Sequence, residues 1–116
     1  MATSAASVSA ADGSHILIAV GHSGPVGYLL AEFRVREANP FKYASSVFFI
    51  HHIAVEPSHQ EKGVGKRLMS SASELAGQLG ASFLRLDSWH FNVDAHKFFE
   101  AQGFAPVSIG FERQLS

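Results

Sequence analysis

The chain contains no cysteine in its 116 residues. Disulfide frameworks, thiolate metal sites and cysteine nucleophiles are excluded together. Charge is sparse and balanced: nine Lys and Arg stand against ten Asp and Glu, for a formal net charge of −1. That balance argues against a protein that lives on nucleic acid, and it leaves room for a local anion site. Long hydrophobic runs are also missing, since no apolar stretch approaches the ~20 residues that span a bilayer. The opening MATSAASVSAADG has neither the basic stretch nor the apolar core of a secretion signal. No His-Glu-x-x-His or other tight ligand cluster occurs, so no metal is expected. The expectation is a cytoplasmic protein with neither membrane nor nucleic acid as a partner.

Hydrophobic residues make up 47% of the chain and charged residues 16%, which is a folding composition. A chain this long buries roughly 65% of its unfolded surface, enough for one core. The expected organisation is a mobile tail of small residues over 1–13 and a single domain over 14–116.

Along the chain, SHILIAVG (14–21) and VGYLLAEFRV (26–35) read as strands, joined by the turn HSGP into a hairpin. A loop with Asn39-Pro40 leads to VFFIHHIAVE (47–56), an apolar run that predicts a strand buried on both faces. From 64 to 79 the apolar residues Val64, Leu68, Met69, Ala72, Leu75, Ala76 and Leu79 recur at the three-and-four spacings of an amphipathic helix, with Gly80 as its stop. SFLRLDSW (82–89) reads as a strand. NVDAHKFFEAQG (92–103) reads as a short helix capped by Asn92 and followed by Gly103. The segment 104–115 is expected to supply one or two final strands. The class is α/β, with a largely antiparallel mixed sheet and a strand–helix–strand crossover.

Between the third strand and the first helix lies HQEKGVGKRL, residues 59–68. Two glycines at a helix N-terminus can relieve crowding at a tight turn. They can also leave backbone N–H groups aimed at an anion, which the helix dipole favours. A Walker A loop would need glycine where Gln60 stands and Ser or Thr at Arg67. A dinucleotide fingerprint would need glycine at Leu68. Both patterns fail. The pattern Gln-x-x-Gly-x-Gly over residues 60–65 fits a third, between a strand ending IAVEP and an amphipathic helix.

In this arrangement the sequence resembles the GCN5-related N-acetyltransferases. The second half matches as well: LDSWHFNVDAHKFFEAQGF (86–104) is similar to that family's strand followed by Asn-x-x-Ala-x-x-Phe-Tyr-x-x-x-Gly-Phe. The resemblance runs from about residue 15 to 115 and implies acetyl-coenzyme A as acyl donor to an amine. It implies that the backbone of Ile53, Ala54 and Val55 pairs with the pantetheine arm like an added strand. It implies that the N–H groups from Gln60 through Glu61, Lys62, Gly63, Val64 and Gly65 to Lys66 hold the pyrophosphate. Asn92 would hydrogen-bond the pantetheine, and Ala95, Phe98 and Phe99 would line the thioester channel. Independently of the family, a phosphate suits the loop and an amide-rich arm suits unpaired strand backbone.

Transfer to an amine needs a base, a stabilised oxyanion and a route for the leaving thiolate. Histidine titrates close to neutral pH and suits the first. Strict alternation along the third strand would set His51 beside Phe49, Ile53 and Val55, with His52 on the opposite face. The resemblance implies a base at His51, with His52 in reserve, and strand N–H near Ile53 would meet the oxyanion. The family's tyrosine, often the acid for the thiolate, falls at Phe99, which has no proton to give. Either Tyr28 or Tyr43 substitutes for it, or the thiolate leaves without an enzymatic acid. A non-catalytic acyl-coenzyme A-binding module is therefore the alternative. Relative to the family the chain reads as N-terminally shortened, lacking the strand and helices that wall the acceptor site. A homodimer is expected to cover the sheet face so left bare.

Overall fold

The computed structural model describes residues 4–9, 13–40, 45–60, 62–88 and 92–115. Five strands form one sheet in the order β1-β2-β3-β4-β5. They are β1 (Ser4–Ser9), β2 (Ser14–Gly21), β3 (Gly24–Arg36), β4 (Ser45–Val55) and β5 (Phe83–Leu86). Neighbours pair antiparallel as far as β4, and β4 pairs β5 in parallel. The helix α1 (Val64–Leu79) makes that parallel crossover, and α2 (Val93–Ala101) follows β5. The mixed α/β class read from the sequence is the observed one, and α1 has the predicted limits.

The core is a single contact layer between α1 and one face of the sheet. Leu17 and Ala19 of β2, Leu29 and Ala31 of β3, and Phe48 and Ile50 of β4 meet Val64, Leu68, Met69, Ala72 and Ala76 of α1. Leu29, Phe48, Leu68 and Ala72 are wholly buried. Gly27 lets the helix seat closely: a Cβ there would stand 2.9 Å from Ala54 O, 3.2 Å from Val64 Cγ1 and 3.4 Å from Leu68 Cδ1. At the other end of α1, Gly80 adopts a left-handed φ of 84°. Ala81 N–H then reaches back to Ala76 O at 2.9 Å, which satisfies a terminal carbonyl.

Three expectations need correction. Residues 4–9 are not a tail outside the fold: they form β1, paired with β2 from Ser4↔Val20 to Ser9↔His15. The gain there is backbone pairing along the outer edge of β2, which a sequence of small residues does not advertise. The run 82–89 is strand only over Phe83–Leu86, and Trp89 lies outside the described residues. Residues 104–115 form no strand. Their alternating Val107, Ile109 and Phe111 are 79%, 75% and 93% exposed. Alternation alone does not make a strand, and here no described residue pairs with the segment.

Candidate active site

The sheet opens at β4. This strand stays paired with β3 as far as Val55, whereas β5 meets it only from Val47↔Phe83 to Ile50↔Leu86. Residues 51–55 thus carry backbone groups that no described residue of β5 pairs. Ile53, Ala54 and Val55, the predicted pantetheine partners, lie in this gap.

The loop after β4 leads straight to the gap. A 3₁₀ turn over Pro57–His59 follows the strand, and Gly63 opens α1 at φ 82° with no side-chain cap. The first intrahelical bond is Arg67 N–H to Gly63 O at 3.0 Å. The N–H groups of Val64, Gly65 and Lys66 therefore precede the helical ladder, as helix starts dictate. Gly63 has no neighbour within 4 Å of a built Cβ, so its glycine answers to backbone conformation alone. Gly65 answers to packing: a Cβ there would meet the Phe98 ring at 3.3 Å and Val55 Cγ2 at 3.9 Å. Val55, Gly65 and Phe98, three residues singled out from distant parts of the sequence, converge at the mouth of the gap. Lys62 and Lys66 are exposed beside them.

Other predicted residues have different tasks. Gln60 contributes its side chain, whose Nε2 donates to Val55 O at 3.2 Å and ties the loop to the strand. Its backbone N–H donates to Pro57 O at 3.4 Å instead of facing outward. Asn92 Oδ1 accepts from Ala95 N at 3.3 Å and so caps α2, which leaves the carboxamide nitrogen as the part suited to a pantetheine carbonyl. Phe99 packs edge-on between Phe98 and Phe104, at 5.6 and 6.1 Å between ring centroids. Glu61 and Tyr43 lie outside the described residues.

The two histidines depart from strict alternation. Leu30 pairs with His52 while the next residue, Ala31, pairs with Ile50, so His51 is the extra residue of a β-bulge. A bulge shifts the alternation by one. Leu29 and Ala31 face α1, hence Tyr28, Leu30, Glu32 and Arg34 face the other way. Both histidines join that second set. His51 Nε2 lies 3.0 Å from Glu32 Oε1, and His52 Nδ1 lies 2.8 Å from the Tyr28 hydroxyl. Ile53 and Val55, expected beside His51, pack instead against the core. Both imidazoles are therefore exposed on the open face, next to the gap.

Glu32 is the residue that sequence reasoning passed over. Its Oε1 accepts from both His51 Nε2 and Arg34 Nε, each at 3.0 Å. The hydrogen bond from His51, and then that from Arg34, holds its carboxyl below the usual carboxylate range. Arg34 also stacks over Phe49, 4.5 Å from guanidinium carbon to ring centroid. The period of two in β3 would have put Tyr28, Glu32 and Arg34 on one face. Their meeting with the histidines depends on a register and a bulge that no single segment encodes.

Among the described residues no three His, Cys, Asp or Glu side chains converge as metal ligands, and no helix is long and apolar enough to cross a membrane.

Comparison with known proteins supplies the family. An uncharacterized N-acetyltransferase, YhfO of Bacillus subtilis (strain 168), is 36% identical over 58 residues, half of this chain. The chain spans only 39% of that relative's length in the match. Among solved structures, the BH1408 protein of Bacillus halodurans superposes with a TM-score of 0.87 at 17% identity, over 90% of this chain and 68% of that one. The aminoglycoside N-acetyltransferase AAC(6')-Iy, solved in complex with CoA, gives 0.75 at 26% identity, over 91% and 79%. The sequence model described as the acetyltransferase (GNAT) family matches residues 4–104, β1 included. On that match, and with the opened strand, the glycine-led helix and the fold in agreement, the chain belongs to the acetyltransferase (GNAT) family.

Proposed function

We propose that the protein transfers an acetyl group from acetyl-coenzyme A to a primary amine of a small molecule or peptide. The observation that carries this is the gap in the sheet: β4 runs on past β5 beside an uncapped helix N-terminus, where Val55, Gly65 and Phe98 meet. An extended amide-bearing arm fits the side of residues 51–55 that no described residue of β5 pairs, and a diphosphate fits the N–H groups of Val64, Gly65 and Lys66. The neighbour solved with CoA supports the same occupant.

In this reading donor and acceptor reach the gap from different sides. The bound donor supplies an activated acyl carbon. His51, oriented by Glu32, takes the proton that the amine loses as the C–N bond forms. Backbone N–H near Ile53 meets the oxygen on which negative charge develops. His52, hydrogen-bonded to Tyr28, is the second proton-carrying group, and it offers the leaving sulfur a proton that Phe99 cannot. The second reading, an acyl-coenzyme A-binding module without turnover, is favoured by the hydrocarbon packing of Phe99.

Thiol release from acetyl-coenzyme A across an amine panel separates the two. The transferase reading expects turnover that His51→Ala abolishes while donor binding persists. Donor binding with no turnover on any amine selects the module. For the assembly we infer a homodimer, supported by the exposed Val107, Ile109 and Phe111 and by the outer position of β5 in the sheet. A cytoplasmic protein acting without membrane or nucleic acid remains part of the proposal.

A further inference from the structure

The open face of the sheet carries a second feature beside the donor gap, and it shares only Glu32 with the proposed proton transfer. A cleft of about 540 Å³ is lined by Glu32, Arg34, Arg36, Val47, Phe49 and Arg85, among others. Three of the chain's five arginines meet there, in a protein whose net charge is −1. The topology brings them together. Arg34 and Arg36 lie two apart on β3, and Arg85 of β5 stands in register with Phe49, which is itself paired with Glu32. Phe49 thus forms the floor, with β3 cations on one side and Arg85 on the other.

Among the described residues one carboxylate lines this cleft, and it is already shared. Glu32 Oε1 accepts from both Arg34 and His51. Glu37 and Asp87 follow on the same strands or just beyond but do not line the cleft. Among the described residues lining the cleft, Arg34 and Arg85 alone already outnumber Glu32, and positive charge in a concave place favours an anion. Arg34 is also held in position, by its Nε bond to Glu32 and by its stacking on Phe49. A guanidinium so oriented has terminal nitrogens suited to bidentate contact with an oxyanion.

We propose that this cleft binds a carboxylate or phosphate of the acceptor, so that the transferred acetyl group goes to an amine that also carries an anion. This rests on the transferase reading of the neighbouring gap. The Phe49 and His51 rings stand 5.0 Å apart between centroids, so the floor of the cleft and the proposed base are neighbours without coinciding. The reactive amine therefore lies several bonds from the anionic group, as in lysine.

The test has two arms. In the first, glutarate or inorganic phosphate is titrated into the protein with arginine labelled, and the Nε–Hε NMR signals are followed. Saturable shifts at Arg34 and Arg85, about tenfold weaker binding in Arg85→Gln, and no response to uncharged glutaramide are expected. Failure of both anions to shift these signals, or an equal response to glutaramide, overturns the proposal whether or not the protein is an enzyme. The stronger of the two anions identifies the oxyanion. In the second arm, kcat/KM for lysine is compared with that for cadaverine, and for phosphoethanolamine with ethanolamine. A preference of about tenfold or more for one anionic member, falling toward unity in Arg85→Gln, is expected. Equal use of both members of each pair overturns the acceptor assignment. Absence of any turnover with intact anion binding instead removes the transferase reading, and with it the assignment of the bound anion to an acceptor.

Discussion

Two glycine-to-alanine substitutions should move stability in opposite directions. At Gly27 a new Cβ would sit 2.9 Å from the Ala54 carbonyl oxygen, closer than real Cβ atoms approach. The obstacle is backbone of the adjacent strand, and Val64 and Leu68 of α1 close the other sides at 3.2 and 3.4 Å. Relief requires β4 or α1 to move, a kind of overpacking that typically costs about 1–3 kcal/mol. Reduced freedom of the unfolded chain returns about 0.4–1 kcal/mol. The net loss should be about 1–2 kcal/mol, or roughly 4–8 °C in Tm for a chain of this length. Gly77 lies in α1 with nothing within 4 Å of a built Cβ. Alanine there should add about 1 kcal/mol through helix propensity alone. Urea unfolding of both variants beside the wild type reads the difference directly. A Gly27→Ala protein as stable as wild type would refute the close seating of α1 on β3 and β4. The same variant should also weaken donor binding, because the carbonyl it displaces belongs to Ala54.

Three further outcomes follow from the site. His51→Ala should lower kcat by about 10²–10⁴ while coenzyme A affinity, read by calorimetry, stays the same; a change confined to affinity would count against a base at this position. Glu32 should titrate below the ordinary glutamate value of about 4.3 in a carbon-detected NMR titration, and His51→Ala should bring it back up, since the hydrogen bond from His51 is the larger cause. Because the folded-state value is depressed, this group's contribution to stability is present above the ordinary value and is lost as pH falls through the lowered one. A titration at or above the ordinary value would contradict the His51–Glu32–Arg34 arrangement. Light scattering should give twice the monomer mass for the full chain and the monomer mass once residues 105–116 are removed; identical masses would detach the exposed Val107, Ile109 and Phe111 from any assembly.

Helices and central strands were legible in the sequence because their signals are local. The three-and-four spacing from Val64 to Leu79, with Gly63 and Gly80 at its ends, fixes α1 without reference to the rest of the chain. The Asn92 cap and the apolar run through Phe48 and Ile50 are local in the same sense. What escaped was decided by pairing between distant segments. Residues 4–9 become a strand because β2 offers them an edge, whereas Val107, Ile109 and Phe111 alternate more clearly and find no partner among the described residues. The bulge at His51 arises between β3 and β4, and it turns two adjacent histidines to one face where alternation would separate them. Glu32, Arg34 and Arg85 acquire meaning only once three strands lie in register around Phe49. The glycine loop was legible by its pattern, although the two glycines serve different ends: Gly63 for its left-handed φ and Gly65 for the Phe98 ring.

The central claim is that the gap beside α1 holds coenzyme A. An amide-resolved NMR titration with coenzyme A tests it most directly. Saturable shifts are expected at Ile53, Ala54 and Val55 and at Val64, Gly65 and Lys66, while amides of β2 stay in place. If coenzyme A at millimolar concentration leaves both groups of amides where they were, the gap is not a donor site and the proposed chemistry falls with it.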